Sequence, residues 1–122
     1  MFLQLAHTKL DAYKFSELLV LESYRITKVL PADEKFNMVQ QIRRAALSVN
    51  LNIAEGCSRR SKAERNRFFE IARGSVIEVD TAIGIANKLS YVSTEQLQPL
   101  GEIIIKNFKI ISGMISREAT HH

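Results

Sequence analysis

The stretch Ser48–Asp80, SVNLNIAEGCSRRSKAERNRFFEIARGSVIEVD, joins two helical patterns and holds most of the unevenly placed charge in the chain. Before it breaks, Ile42, Ala46, Val49 and Ile53 recur at spacings of four, three and four, which is one face of a helix. After Ser61 the pattern resumes, with Phe68, Ile71, Ala72, Ser75, Val79, Ala82, Ile83 and Ala86 assigned to the inner side. Between the two lies GCSRRS, short and basic. Gly56 suits a helix C-terminus because it takes positive φ without a Cβ penalty. Ser61-Lys62-Ala63-Glu64 has the form of a capping box, which satisfies free N–H groups at the next helix start. Two antiparallel helices joined by a tight corner are therefore expected.

Working outward, a first helix is expected over about 11–30. It begins near Asp11, ends at Pro31, and carries Phe15, Leu18, Leu19, Ile26, Val29 and Leu30 inward. A second runs over about 33–55 with Asp33 as N-cap, a third over about 62–90 and a fourth over about 95–117. The fourth has the clearest stripe, from Leu97, Leu100, Ile103, Ile104, Phe108, Ile111, Met114 and Ile115. Pro99 falls late for a first-turn proline, so regular helix is expected from about Gln98 or with a kink. Asn107 interrupts the stripe, either buried to fix register or partly exposed. With 5 Gly and 2 Pro among 122 residues there is little material for strands and turns. Short connections between amphipathic helices make neighbours antiparallel, and the expectation is a single all-α domain, an up-and-down antiparallel four-helix bundle.

Several positions do not fit one buried face. Tyr13, Val20 and Tyr24 form a second apolar stripe on the first helix, and Gly74, Ile77, Thr81 and Gly84 form a small-residue back side on the third. Each internal glycine costs about 1 kcal/mol against alanine, so a close second backbone is the expectation there. Tyr13, Val20, Tyr24 and Ile77 are thus candidates for contact between copies. Ser48, Asn52 and Glu55 make a polar line expected to hydrogen-bond the neighbouring corner, and Glu22 and Glu78 are expected to find arginine partners.

Little catalytic chemistry is on offer. The 3 histidines, His7, His121 and His122, lie outside the expected helices, and Cys57 is the single cysteine. That leaves no Glu-x-x-His pairing for a di-metal bundle, no zinc set and no nucleophile–base pair. Neither a Walker loop nor a G-x-G-x-x-G segment occurs. No enzyme activity, cofactor or metal is expected. A lone cysteine and the lack of a leader or spanning segment suit a reducing, cytoplasmic setting without a membrane partner. The tail SREATHH is expected to be disordered, its last two histidines native or a cloning remnant.

Charge placement says more than its total. From Arg43 to Arg73 there are eight basic residues against three acidic ones, a local excess of +5 in a chain whose net charge is +4. Arg59, Arg60, Lys62, Arg65 and Arg73 are the candidates for phosphate contact, a surface that would attract backbone without reading sequence. A solvated face with internal pairs such as Glu64 with Arg60 is the plainer alternative. A docking surface for an acidic or nucleic-acid-processing protein is another.

Ala45-Ala46-Leu47-Ser48, Asn52-Ile53-Ala54-Glu55-Gly56, Arg59, Ser61, Glu64, Phe68 and Ile71-Ala72-Arg73-Gly74-Ser75, with Glu78, resemble the signature of a bacterial family. Its members are four-helix-bundle proteins encoded in intervening sequences of large-subunit ribosomal RNA genes. The resemblance runs from about Tyr13 to Ile115 and includes Pro31 and Tyr91. It implies a ring-forming homo-oligomer, a homopentamer, without enzymatic activity. It also implies a structural role for Ser48, Asn52, Glu55, Gly56, Ser61, Gly74, Ser75 and Glu78. Accessory variability proteins of diversity-generating retroelements share that architecture, and there a positive ring surface is implicated in binding nucleic acid and a reverse transcriptase. The family often has proline between the Ser and the Asn-Ile-Ala-Glu-Gly run. Here the positions are Val49, Asn50 and Leu51, which removes the expected interruption.

Overall fold

The computed structural model describes residues 1–120. Among them are four α-helices, α1 (Asp11–Thr27), α2 (Met38–Ser58), α3 (Lys62–Lys88) and α4 (Thr94–Thr120), with short 3-10 turns at Ala6–Lys9 and Ala32–Glu34 and no strand. The histidines at 121 and 122 lie outside the described residues. The expected disordered tail is helical as far as Thr120.

Hydrogen bonds between helices set the registers. Asn50 Nδ2 of α2 donates to Ser16 Oγ of α1 at 2.9 Å, and Arg43 Nε donates to Thr27 Oγ1 at 2.8 Å, so α1 and α2 are antiparallel. Ser75 Oγ of α3 meets Ser48 Oγ of α2 at 3.0 Å, and Gln41 Nε2 reaches Glu78 Oε2 at 2.9 Å. Arg73 ties α3 to Ser112 of α4 at 3.3 Å, and Asn107 Nδ2 of α4 donates to the Phe15 carbonyl of α1 at 3.0 Å. The helices thus close in chain order, α1 to α2 to α3 to α4 and back to α1. Asn107 is buried and bridges two helices, which settles the two readings in favour of the buried one.

The core is built from Leu19, Ile26, Ile42, Val49, Ile53, Phe69, Val76, Val79, Ile83, Leu100, Ile104 and Ile111, each at a helical spacing on its own helix. Two expected stripes are corrected. On α1 the inward face is Ala12, Ser16, Leu19, Ser23, Ile26 and Thr27, while Leu18 and Val29 are exposed. Two of the three hydroxyls inside are satisfied by carbonyls of their own helix, Ser16 Oγ to Tyr13 O at 2.7 Å and Thr27 Oγ1 to Ser23 O at 2.8 Å, while Ser23 Oγ is buried without a partner. On α3 the expected Ala72, Ser75, Val79, Ile83 and Ala86 are buried, and the stripe departs from expectation at its edges. Phe69 and Val76 are buried, Phe68 is half-buried, and Ile71 and Leu89 are exposed.

The ends follow local chemistry. Ser61 Oγ accepts from Glu64 N at 3.1 Å to start α3. Ser93 and Gln96 form a complete reciprocal box at the start of α4, each accepting from the other's N–H at 3.1 and 2.9 Å. Pro99 sits inside α4, which runs unbroken from Thr94, so the later start does not hold. Nor does Asp33 cap α2: the chain makes a 3-10 turn first, and α2 begins at Met38 after Asn37. Without proline at 49–51, α2 is continuous through that segment.

Candidate nucleic-acid interface

The corner between α2 and α3 is three residues long, Arg59 to Ser61, and its form comes from Gly56. That glycine lies within α2 and has no positive φ, contrary to the expected cap. Its role is close approach: a Cβ there would stand 2.7 Å from Phe69 Cε1 and 3.1 Å from Phe68 Cβ. Removing the side chain lets the first turns of α3 lie directly on the α2 backbone. Gly74 and Gly84 behave oppositely, since an added Cβ would meet nothing within 4 Å, so no second backbone approaches them within the chain.

Arg65 then locks the corner. One of its guanidinium nitrogens donates to the carbonyls of Arg59 and Arg60 at 3.1 and 2.6 Å, satisfying two backbone acceptors of the corner itself. Arg59 pairs with Glu55 at 3.0 Å and lies over the Phe68 ring, 5.0 Å from its centroid. The Arg67 guanidinium also lies over Phe68, at 5.4 Å. Phe68, read as core, is therefore a half-buried platform for two arginines. Arg60 and Lys62 stand exposed at the tip.

The other basic residues of the stretch are elsewhere. Arg73 lies about 17 Å along α3 from Lys62 at 1.5 Å per residue, half-buried against Ser112 of α4. Arg43 is engaged with Thr27 and sits 4.5 Å from the Tyr24 ring centroid. The excess of +5 is thus divided among the corner, the α3–α4 side and the α1–α2 side, and is not one patch. Of the five candidates, Arg59, Arg60, Lys62 and Arg65 come together and Arg73 does not. Sequence reasoning missed Arg67 and Phe68. An arginine beside an aromatic at the start of a basic helix was the available signal.

The polar line is structural in detail. Asn52 Nδ2 donates to Ser48 O at 2.8 Å and lies 3.0 Å from Ser48 Oγ, which is joined to Ser75, so three of the motif residues bind α2 to α3. Glu55 serves the corner. Glu78 takes its hydrogen bond from Gln41 in place of the expected arginine, while Glu22 pairs with Arg25. The candidate contact residues are spread out. Tyr13 is half-buried under His7 at 5.0 Å between ring centroids, Val20 packs on the core, Tyr24 is covered on one side by Arg43, and Ile77 is exposed.

Among the described residues no three His, Cys, Asp or Glu side chains come together in a way that could hold a metal, and no helix is long and apolar enough to cross a membrane.

No curated protein matches the chain. The solved structure of a protein of unknown function from the S23 ribosomal protein family, from Bacteroides thetaiotaomicron, superposes with a TM-score of 0.78 at 22% identity, covering 85% of this chain and 97% of that one. That likeness establishes the fold. The family model described as 23S rRNA-intervening sequence protein matches residues 8–113. The chain belongs to the 23S rRNA-intervening sequence protein family.

Proposed function

We propose that the chain is a non-catalytic, self-associating helical bundle, assembling as the ring of five that the family resemblance implies. In this reading the α2–α3 corner binds the phosphate backbone of RNA or DNA. The observation that carries it is the corner itself: Arg60 and Lys62 are exposed on a three-residue connection whose backbone is held by Arg65 and by the Ser61 cap. A held backbone fixes where these two side chains start, so less freedom is lost on meeting phosphate oxygens than from a loose loop, and the paired Arg59 can exchange Glu55 for an anion. A few charge contacts bind weakly, so one copy alone has little affinity and repetition around an assembly supplies the rest.

Binding of the full chain to random-sequence single-stranded RNA, followed across a salt series, tests this. Retention should fall steeply from low to moderate salt, and Arg60→Glu with Lys62→Glu should weaken it strongly. Retention indifferent to both changes would sink the proposal. If RNA is not retained but a protein partner survives nuclease treatment in a pull-down, the corner is a protein-docking surface instead.

A further inference from the structure

Two sides of the bundle carry exposed apolar side chains flanked by charge. On the α1–α2 side, Leu21, Leu47 and Leu51 are 66%, 40% and 53% exposed, and a groove there is lined by Glu17, Val20 and Leu47. On the α3–α4 side, Ile77, Ile105 and Phe108 are 51%, 56% and 40% exposed, lining a groove of about 280 Å³ bordered by Asp80 and Lys109. We infer that these two faces are complementary halves of one contact: the α1–α2 face of one copy packs against the α3–α4 face of the next, with the bundles parallel.

Charge and height decide the pairing. Because the helices close in chain order, setting copies side by side brings α2 against the neighbour's α3 and α1 against the neighbour's α4. The register of Ser48 with Ser75 and Gln41 with Glu78 places Arg44 within about one helical turn of the level of Asp80. By the same register Leu47 comes within about a turn of the level of Ile77. Asn107 against Phe15 places Glu17 within about a turn of the level of Lys109. Both opposite-charge pairs, Arg44 with Asp80 and Glu17 with Lys109, then face each other across an apolar centre, the usual anatomy of an interface. All four are exposed in the single chain. Turning one copy end for end sets Asp80 toward Glu17 and Lys109 toward Arg44, like against like, so the charges also reject the inverted arrangement. A head-to-tail contact of this kind closes into a ring when its rotation permits, and gathers every α2–α3 corner on one side of the assembly.

This inference rests on the proposed self-association and specifies which faces meet, so the test separates the two. Light scattering on the full chain gives the assembled mass. Glu17→Lys and Lys109→Glu should each weaken association at least tenfold, moving the mass toward the 13.9 kDa of one chain, and the double reversal should restore it. Arg44→Asp with Asp80→Arg should behave in the same way. Single reversals that keep the wild-type mass overturn the face pairing and leave self-association standing. So do double reversals that stay dissociated with helical circular dichroism intact. A wild-type chain that remains at 13.9 kDa at high concentration overturns self-association itself.

Discussion

At the scale of single residues, glycine positions that look alike in sequence carry opposite consequences. At Gly56 an added Cβ would lie 2.7 Å from a buried phenylalanine ring, so Phe69 must move. Gly56→Ala should cost about 1–3 kcal/mol, measured as a shift of the urea midpoint. Gly74 opens onto empty space, and Gly74→Ala should instead raise stability by up to about 1 kcal/mol through helix propensity. Tyr91 offers a pH handle. Its hydroxyl donates to Glu34 Oε2 at 3.0 Å, and that bond, then burial, then the charges of Glu34 and Asp33 push the phenol above its ordinary value. A raised tyrosine favours the protonated form in the fold. Its contribution is therefore complete below the unfolded value near 10 and is lost as pH climbs through the folded one. Tyr91→Phe should remove that alkaline decline in a stability-versus-pH profile while leaving the neutral-to-acid limb in place.

At the scale of helices, the question a sequence pattern answers badly is which of two adjacent apolar residues turns inward. The spacing of apolar residues in α3 shows that it is an amphipathic helix, and the Ser61 cap places its start. Most of its expected face is buried, but at its start the pattern favours Phe68 where the fold buries Phe69. The hairpin decides the matter, because Gly56 leaves room on α2 for one ring and Phe69 takes it. Phe69→Ala should accordingly cost about 3–5 kcal/mol, and Phe68→Ala far less, in denaturant titrations read side by side. In α1 the obstacle was different. Ser16, Ser23 and Thr27 are buried where a hydrophobicity pattern expects leucine; the hydroxyls of Ser16 and Thr27 bond carbonyls of their own helix and accept from Asn50 and Arg43 of α2, while Ser23 Oγ is buried without a hydrogen-bond partner. Helix number, order and antiparallel sense were legible because they depend on periodicity and connection length. The choice between Phe68 and Phe69 was not, because it depends on the side chain that Gly56 lacks.

At the scale of the molecule, counting charge along the chain overstated its concentration. Eight basic residues in one stretch become three groups in space. Arg43 is drawn to the α1–α2 side by Thr27, Arg73 to the α3–α4 side by Ser112, and Arg65 is turned back onto the corner's own carbonyls. Beside the exposed Arg59, which is paired with Glu55, and Arg67, which lies over Phe68, the tip exposes Arg60 and Lys62, at the end of the bundle, away from both side grooves. Ends and sides can therefore carry separate tasks, phosphate contact at one and contact between copies at the other. The consequence is a dissociable pair of phenotypes. Arg60→Glu with Lys62→Glu should leave the assembled mass by light scattering at the wild-type value. It should also lower the slope of log affinity for single-stranded RNA against log salt by on the order of one to two per engaged copy. A loss of mass in that variant would place the corner inside the contact between copies. An unchanged salt slope would remove these two side chains from the phosphate surface, because neutralised phosphates are what the slope counts.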